Sequence, residues 1–142
     1  MAVNPNPIDL QPDARTVYDV FATTAARQPD KALLAMPRRL ADLWSLPTTE
    51  YSYGAVMAEV ARLSALYAAA GYGHGQRVAL LLENRPIHYF HWLALNALGV
   101  SIAPINPDYK SEETRYLLDH SEAVLVVAVP QRLDELRTVA MT

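Results

Sequence analysis

The chain has 142 residues, of which 51% are hydrophobic and 19% are charged, and its formal net charge is −3 at pH 7. This length suits one domain with one core, and the composition is typical of a soluble globular protein. Twelve Lys and Arg stand against fifteen Asp and Glu with the signs interspersed, which argues against the basic face of a nucleic-acid-binding protein. Cysteine is absent, so disulfides, thiolate metal sites and cysteine nucleophiles are excluded, and a reducing, cytoplasmic setting is expected.

Residues 1–13 (MAVNPNPIDLQPD) have no basic start and no apolar stretch, unlike a secretory signal or a transit peptide. They are predicted to form an extended arm, and residues 14–142 are predicted to form a single α/β domain. The longest apolar stretches are too short and too interrupted to cross a bilayer, which needs about 20 residues. No membrane span is therefore expected.

The first half of the predicted domain alternates helix and strand. Residues 16–27 carry apolar side chains on one helical face, and residues 31–36 form a short strand-like run. Residues 37–50 show no clean period and are predicted to be an irregular connection with one helical turn around residues 40–44. A long amphipathic helix is predicted for residues 53–70.

The ends of that long helix carry local signals. Ser52 is placed to cap its first amides, although Ala55 stands where a capping box would have Glu. Gly71 is a plausible left-handed stop.

Three apolar strands alternate with helices in the second half. Strands are predicted at residues 76–82, 100–105 and 123–129. One helix is predicted from near Asn84 to Gly99, a second from Ser111 to before residue 123, and a third from Pro130 to near Ala140. Strands that are apolar on nearly every residue are typical of a parallel sheet covered on both faces. The predicted fold class is therefore α/β, with an open, mainly parallel sheet and helices on both faces.

The helix over residues 87–98 is apolar almost all round, which predicts burial on more than one side. Its apolar members are Ile87, Tyr89, Phe90, Trp92, Leu93, Leu95 and Leu98. One domain of this size has little protein with which to cover such a helix. We therefore expect more protein to pack here than the chain supplies, or self-association through the exposed apolar face.

Candidate sites each have a simpler structural interpretation. Residues 71–75 (GYGHG) resemble a phosphate loop, but they follow a helix and precede a strand, so a turn is favoured. His88 and His91 could share a helical face, yet no third metal ligand is evident, so partly buried, hydrogen-bonded histidines are favoured. Trp44 and Trp92 are expected in the core or at its rim, with a ligand platform as the alternative.

Two further clusters contain residue types that occur in active sites. Asp119, His120 and Ser121 spell a hydrolytic triad, but adjacent helical residues diverge and cannot form one. Glu112 and Glu113 are most simply acids at a helix start, with paired catalytic carboxylates as the alternative. None of these candidates assembles a reaction centre.

Taken in order, residues 49–128 resemble the N-terminal portion of the adenylate-forming acyl-CoA synthetases. That superfamily includes peptide-synthetase adenylation domains and beetle luciferase. The family's Gly-x-Gly-Asp-Arg-Val-Ala turn is matched by residues 73–79 (GHGQRVA), with Gln76 in place of the usual Asp. Residues 83–86 (ENRP) match its Asn-rich strand end, and residues 98–107 (LGVSIAPINP) resemble its Leu-Gly-Ala to Asn-Pro segment. The resemblance covers about residues 14–129.

The resemblance implies a parent enzyme that joins a carboxylic acid to ATP, releases pyrophosphate and passes the acyl group to a thiol, commonly coenzyme A. Such enzymes use a Ser/Thr/Gly-rich phosphate loop, an aromatic-Gly-x-Thr-Glu motif, a ribose-binding Asp and a late Lys. None of these occurs here, and Thr49-Glu50 lacks the preceding aromatic and Gly. The chain is therefore expected to be an inactive N-terminal fragment with no catalytic, cofactor-binding or metal residue.

This interpretation assigns ATP, Mg²⁺ and coenzyme A to the full-length parent and no cofactor to the fragment. Its expected partners are the remainder of the parent synthetase and a small-molecule acid, with no nucleic acid. The alternative is a stand-alone α/β binding or interaction module that has kept the half-fold without catalysis. Codons beyond Thr142 that encode a Ser/Thr/Gly-Lys loop would favour the first hypothesis, and a stop codon there would favour the second.

Overall fold

The computed structural model describes residues 15–140. The arm predicted for residues 1–13 lies outside the described residues. The first elements are α1 (Val17–Arg27), β1 (Ala32–Ala35), α2 (Arg38–Leu43), β2 (Glu50–Ser52) and α3 (Tyr53–Ala69). They are followed by β3 (Arg77–Leu81), α4 (Pro86–Ala97), β4 (Ser101–Pro104), α5 (Ser111–Ser121), β5 (Leu125–Ala128), a 3₁₀ turn (Pro130–Arg132) and α6 (Leu133–Ala140).

The three apolar strands form one parallel sheet in the order β4-β3-β5. Both neighbours run parallel to β3, with Val78 opposite Ile102 on one side and Leu125 on the other. Helices connect the strands and cover both faces. The predicted α/β class with an open, mainly parallel sheet is confirmed.

A second, two-stranded sheet stands apart from the parallel one. β1 and β2 are antiparallel, with Ala32 opposite Ser52 and Ala35 opposite Glu50. The apolar run at residues 31–36 predicted β1, whereas the pairing of β1 with β2 was not predicted. The connection between these strands also differs from the prediction, because α2 is a six-residue helix rather than one turn within an irregular segment.

The alternation of side chains along β3 divides the core into two faces. On the first face Val78 and Leu80 pack with residues of α1, α3 and α4. On the second face Ala79 and Leu81 pack with residues of α5 and with Leu136 of α6. The four strand residues after Arg77 are fully buried, so β3 is covered on both faces as its sequence predicted.

The outer strands are less buried than predicted. All four residues of β5 are only partly buried, and β4 has an exposed residue at each end. Both strands lie at an edge of the sheet in the described part of the chain. Their near-continuous apolar sequences therefore suit a more complete sheet than residues 15–140 provide.

The long helix α3 has the ends that its sequence predicted. Ser52 Oγ accepts a hydrogen bond from the amide of Ala55 at 3.2 Å. Beyond the other end, Gly71 has a φ of +86°, which a residue with a side chain adopts at a cost. Among residues 15–140, no helix is both long and apolar enough to cross a membrane.

Candidate functional site

A polar concave site lies at the carboxyl end of β3. The chain leaves the sheet there through Glu83, Asn84 and Arg85, and Pro86 begins α4. Glu83 is not glycine, yet its φ is +55°. This conformation places a charged side chain where the central strand ends.

Arg85 is held between two elements at this point. Its Nε donates a hydrogen bond to Glu83 Oε2 at 2.8 Å, and its guanidinium carbon lies 5.6 Å from the ring centroid of Trp44 at the end of α2. The two ion-paired side chains are only 19% and 27% exposed, respectively. A guanidinium over an indole is a favourable cation–π arrangement. We name the depression lined by this group and by Leu43, Ser45 and Gln131 the Arg85 cavity; its volume is about 460 Å³.

A second concave feature is the apolar groove between α1, β1 and α4, with a volume of about 430 Å³. Nearly all of its lining is apolar or aromatic: Val17, Val20, Phe21, Thr24, Leu33, Leu34, Tyr53, Tyr89, Trp92 and Leu93. It offers no charged group for chemistry. Its character is that of a packing surface.

Both histidines of the predicted pair lie on α4, and His91 faces α3. Tyr67 Oη and His91 Nδ1 are 2.6 Å apart, and the two rings meet edge to face. Burial, the main cause in both cases, lowers the pKa of His91 to about 4 and raises the pKa of Tyr67 to about 12. Burial also lowers the pKa of His88. His91 is therefore a partly buried, hydrogen-bonded histidine, as the sequence predicted.

The three residues that spell a triad do not converge. The ring of His120 stacks on Tyr116, with its Nδ1 3.0 Å from the Tyr116 carbonyl oxygen. Ser121 Oγ donates to the carbonyl of Leu118 at 3.2 Å. Both side chains are thus engaged with their own helix, as expected for consecutive helical residues.

The remaining candidates occupy structural positions. Glu113 accepts a hydrogen bond from the backbone N–H of Lys110 at 2.9 Å, so one acid of the pair caps α5. The glycine-rich residues 71–75 form the turn between α3 and β3, and Gly73 N–H donates to Gln76 Oε1 at 2.8 Å. Trp92 packs against the first core face, whereas Trp44 lies under Arg85.

The position of Arg85 in a polar cavity was not predicted from the sequence. The signal was present, because a charged Glu-Asn-Arg run follows a fully apolar strand, and ligands of α/β sheets bind beside the carboxyl ends of strands. The sequence could not show that Trp44, which lies 41 positions before Arg85, contacts the same guanidinium.

Comparisons with known proteins match this fold and these segments. A family model described as AMP-binding enzyme matches residues 21–141. The chain belongs to the AMP-binding enzyme family. A crotonobetaine/carnitine–CoA ligase of Citrobacter koseri is 36% identical over 78 residues, which are 55% of this chain and 15% of that protein. The corresponding ligase of Salmonella paratyphi B is 34% identical over 82 residues, or 58% of this chain and 16% of that protein.

Solved structures show the same fold. The N-terminal domain of FACL13 from Mycobacterium tuberculosis has a TM-score of 0.78 and 19% identity, covering 91% of this chain and 30% of that one. The N-terminal subdomain of Klebsiella oxytoca NpsA has a TM-score of 0.69 and 22% identity, covering 81% and 28%. The α/β body described above therefore has the fold of these N-terminal domains. The aligned segments span about one sixth of the curated relatives.

Proposed function

We propose that this chain is the N-terminal portion of an AMP-forming acyl-CoA ligase. The reaction of the parent converts a carboxylic acid, ATP and coenzyme A into acyl-CoA, AMP and pyrophosphate. The observation that carries the proposal is the family match over residues 21–141, supported by relatives that are CoA ligases. On this proposal, residues 14–142 form one part of a larger AMP-binding domain.

The exposed edges of the parallel sheet support a role as part of a larger body. Within residues 15–140, β5 has a partner strand on one side only, and its sequence (LVVA) carries no charge along its length. Natural edge strands are usually protected by charges, bulges or a covering segment. Such an edge is stabilised when the rest of the ligase packs against it.

Within residues 15–140, the end of the central strand lacks the features of a phosphate-binding loop. The central strand runs into Glu83, Asn84 and Arg85 rather than into glycines, and Pro86 at the first position of α4 has no amide to donate. Among the described residues, no group of three His, Asp or Glu side chains is placed to hold a metal. We therefore propose that the chain supports the active site of the parent and catalyses no adenylation alone.

Pyrophosphate release tests this proposal. The purified chain, incubated with ATP, Mg²⁺ and a panel of short, long and aromatic acids, is expected to release no pyrophosphate above a no-protein background. The full-length parent, assayed in parallel, is expected to release pyrophosphate with at least one acid and to form acyl-CoA when coenzyme A is added. Pyrophosphate release by the chain alone would refute the assignment of catalysis to later segments. Absence of pyrophosphate release by the parent with every acid would refute the proposal that the parent is a ligase.

A further inference from the structure

The Arg85 cavity lies at a switch point of the parallel sheet. After β3 the chain turns to α4 on the first face, whereas after β5 it turns to the 3₁₀ turn and α6, whose Leu136 packs on the second face. β3 and β5 are neighbours in the sheet. In open α/β sheets, ligands bind beside the carboxyl ends of neighbouring strands whose following helices diverge in this way.

The backbone at Glu83 is unusual for its place in the chain. Two other non-glycine residues with positive φ, Ser45 and Glu122, follow helix ends, where a left-handed residue is common. Glu83 instead follows a strand, at a conformation that costs a residue with a side chain about 1 kcal/mol. The conformation brings its carboxylate to Arg85 Nε, so the local strain accompanies the placement of a charge.

Arg85 is oriented with donors to spare. Among residues 15–140, Glu83 Oε2 is the one hydrogen-bond acceptor that it meets, and Nε makes that bond. The guanidinium carbon also lies over the ring of Trp44, 5.6 Å from the ring centroid. Within this part of the chain the two Nη groups meet no acceptor, so they can donate two parallel hydrogen bonds, the geometry that matches a planar or tetrahedral oxyanion.

We propose that the Arg85 cavity binds one oxyanion of the phosphate type, held in bidentate fashion by the Nη edge of Arg85. Glu83 and Trp44 are positioning residues that fix the guanidinium, while Ser45 and Gln131 complete the polar wall. The proposal rests on the proposed function only for the source of the phosphate, since ATP, pyrophosphate and coenzyme A all carry such a group. It adds a ligand contact to a segment for which the sequence predicted none.

Nitrogen-15 NMR of the 142-residue chain tests the site with pyrophosphate as the probe, at constant pH and ionic strength. The expected result is a saturable shift of the Arg85 Nε–H and Trp44 indole N–H signals. Arg85→Gln is expected to weaken pyrophosphate binding by at least about tenfold, because the charge-assisted bonds are lost. Binding to this variant is followed by the Trp44 indole N–H signal. Absence of a saturable shift, or equal binding by Arg85→Gln, would overturn the proposal.

A matched control lies at the other end of the same strand. Arg77 also forms an ion pair, with Nη1 2.9 Å from Glu122 Oε2, but it lies at the amino end of β3. Arg77→Gln removes one positive charge as well and is expected to leave pyrophosphate binding unchanged. Equal weakening by the two variants would show non-specific attraction to net charge and refute a site at Arg85.

Arg85→Lys separates charge from geometry and guards against an unfolded Gln variant. Lysine keeps the positive charge but has no planar fork, so binding is expected to weaken by about tenfold. Wild-type affinity in this variant would overturn the bidentate arrangement. Each variant is used only if its dispersed NMR spectrum matches that of the parent chain away from the cavity.

Parallel titrations identify the source of the phosphate. Inorganic phosphate, ATP and coenzyme A are each compared with adenosine, which has no phosphate. Shifts caused by the three phosphate compounds but not by adenosine support the proposal, and the tightest of them names the source. Equal shifts with adenosine would overturn it in favour of nucleoside recognition. These titrations need no turnover, so their failure is distinct from failure of the ligase assay.

Discussion

Gly99 illustrates how a single backbone position can be constrained twice. Its φ is +71°, and a Cβ placed there would lie 3.0 Å from Cδ2 of His74. The residue ends the α4 segment one position before Val100, which is buried. Both the conformation and the neighbouring ring therefore favour glycine at this turn.

Gly99→Ala is expected to lower the free energy of unfolding by about 2 kcal/mol, because positive φ and the contact with His74 both oppose a methyl group. Gly71→Ala is the matched control. Gly71 also has positive φ, but a Cβ there would meet nothing within 4 Å, so a loss of about 1 kcal/mol is expected. Urea unfolding followed by circular dichroism measures both values. Equal losses would show that the His74 contact contributes nothing.

The His91–Tyr67 pair makes a pH-dependent contribution to stability. Burial lowers the pKa of His91 from 6.5 to about 4, and Glu59, which acts in the opposite direction, does not offset it. The unfolded chain therefore binds a proton at His91 between pH 6.5 and 4 while the folded chain does not. The stability associated with neutral His91 is fully present above pH 6.5 and is lost progressively as the pH falls towards 4.

His91→Gln is expected to reduce the loss of stability between pH 7 and pH 4 by about 1–3 kcal/mol relative to wild type, since glutamine does not titrate. Ser64→Ala is the control, because Ser64 Oγ donates to the Ala94 carbonyl between the same two helices and also does not titrate. Its pH dependence is expected to match that of wild type. Urea unfolding at pH 7, 5.5 and 4.5 measures the slopes; a wild-type slope in His91→Gln would contradict the assignment.

At the scale of the elements, the local sequence predicted most of the fold because the signals are local. The helix predicted for residues 53–70 is Tyr53–Ala69, and the strand predicted for residues 76–82 is Arg77–Leu81. The pairing of β1 with β2 could not be predicted in this way, because it is a contact across the intervening segment of α2. The Arg85 cavity was missed for the same reason, since it brings α2 to the end of β3.

A long-range cap joins two helices of the first face. The amide of Tyr18, in the first turn of α1, donates to Asn96 Oδ1 of α4 at 2.9 Å. The same helix start has a local capping box, in which Thr16 and Asp19 exchange hydrogen bonds. Asn96 thus supplies an acceptor to an amide that has no partner inside α1.

Asn96→Ala is expected to lower the free energy of unfolding by about 1 kcal/mol through loss of this acceptor. Asn96→Asp keeps an oxygen at the same position and adds negative charge beside the positive end of α1, so its stability is expected to stay close to wild type. Urea unfolding gives the stabilities, and hydrogen exchange at Tyr18 reports the cap directly. Unchanged exchange in Asn96→Ala would contradict the role of this contact.

At the scale of the whole molecule, α4 is buried on several sides yet leaves an apolar surface. It contacts α1, α3 and β4, which agrees with its almost continuous apolar sequence. Ile87 and Tyr89 remain exposed, and Tyr89 and Trp92 line the apolar groove. We expect later segments of the proposed ligase to cover this surface. When the chain is alone, a second copy of it can cover the surface instead.

Self-association through the apolar groove is therefore expected at high concentration. Val17 lies on the groove with 50% of its surface exposed, so Val17→Glu introduces a charge at the rim while keeping the core intact. The variant is expected to weaken association by about tenfold, because an unpaired charge must be desolvated at the contact. Leu66→Glu is the control, since Leu66 on α3 is 56% exposed and does not line the groove. Sedimentation velocity over a wide concentration range measures association. A wild-type chain that stays monomeric throughout would refute the expectation, and equal weakening by both variants would move the contact away from the groove.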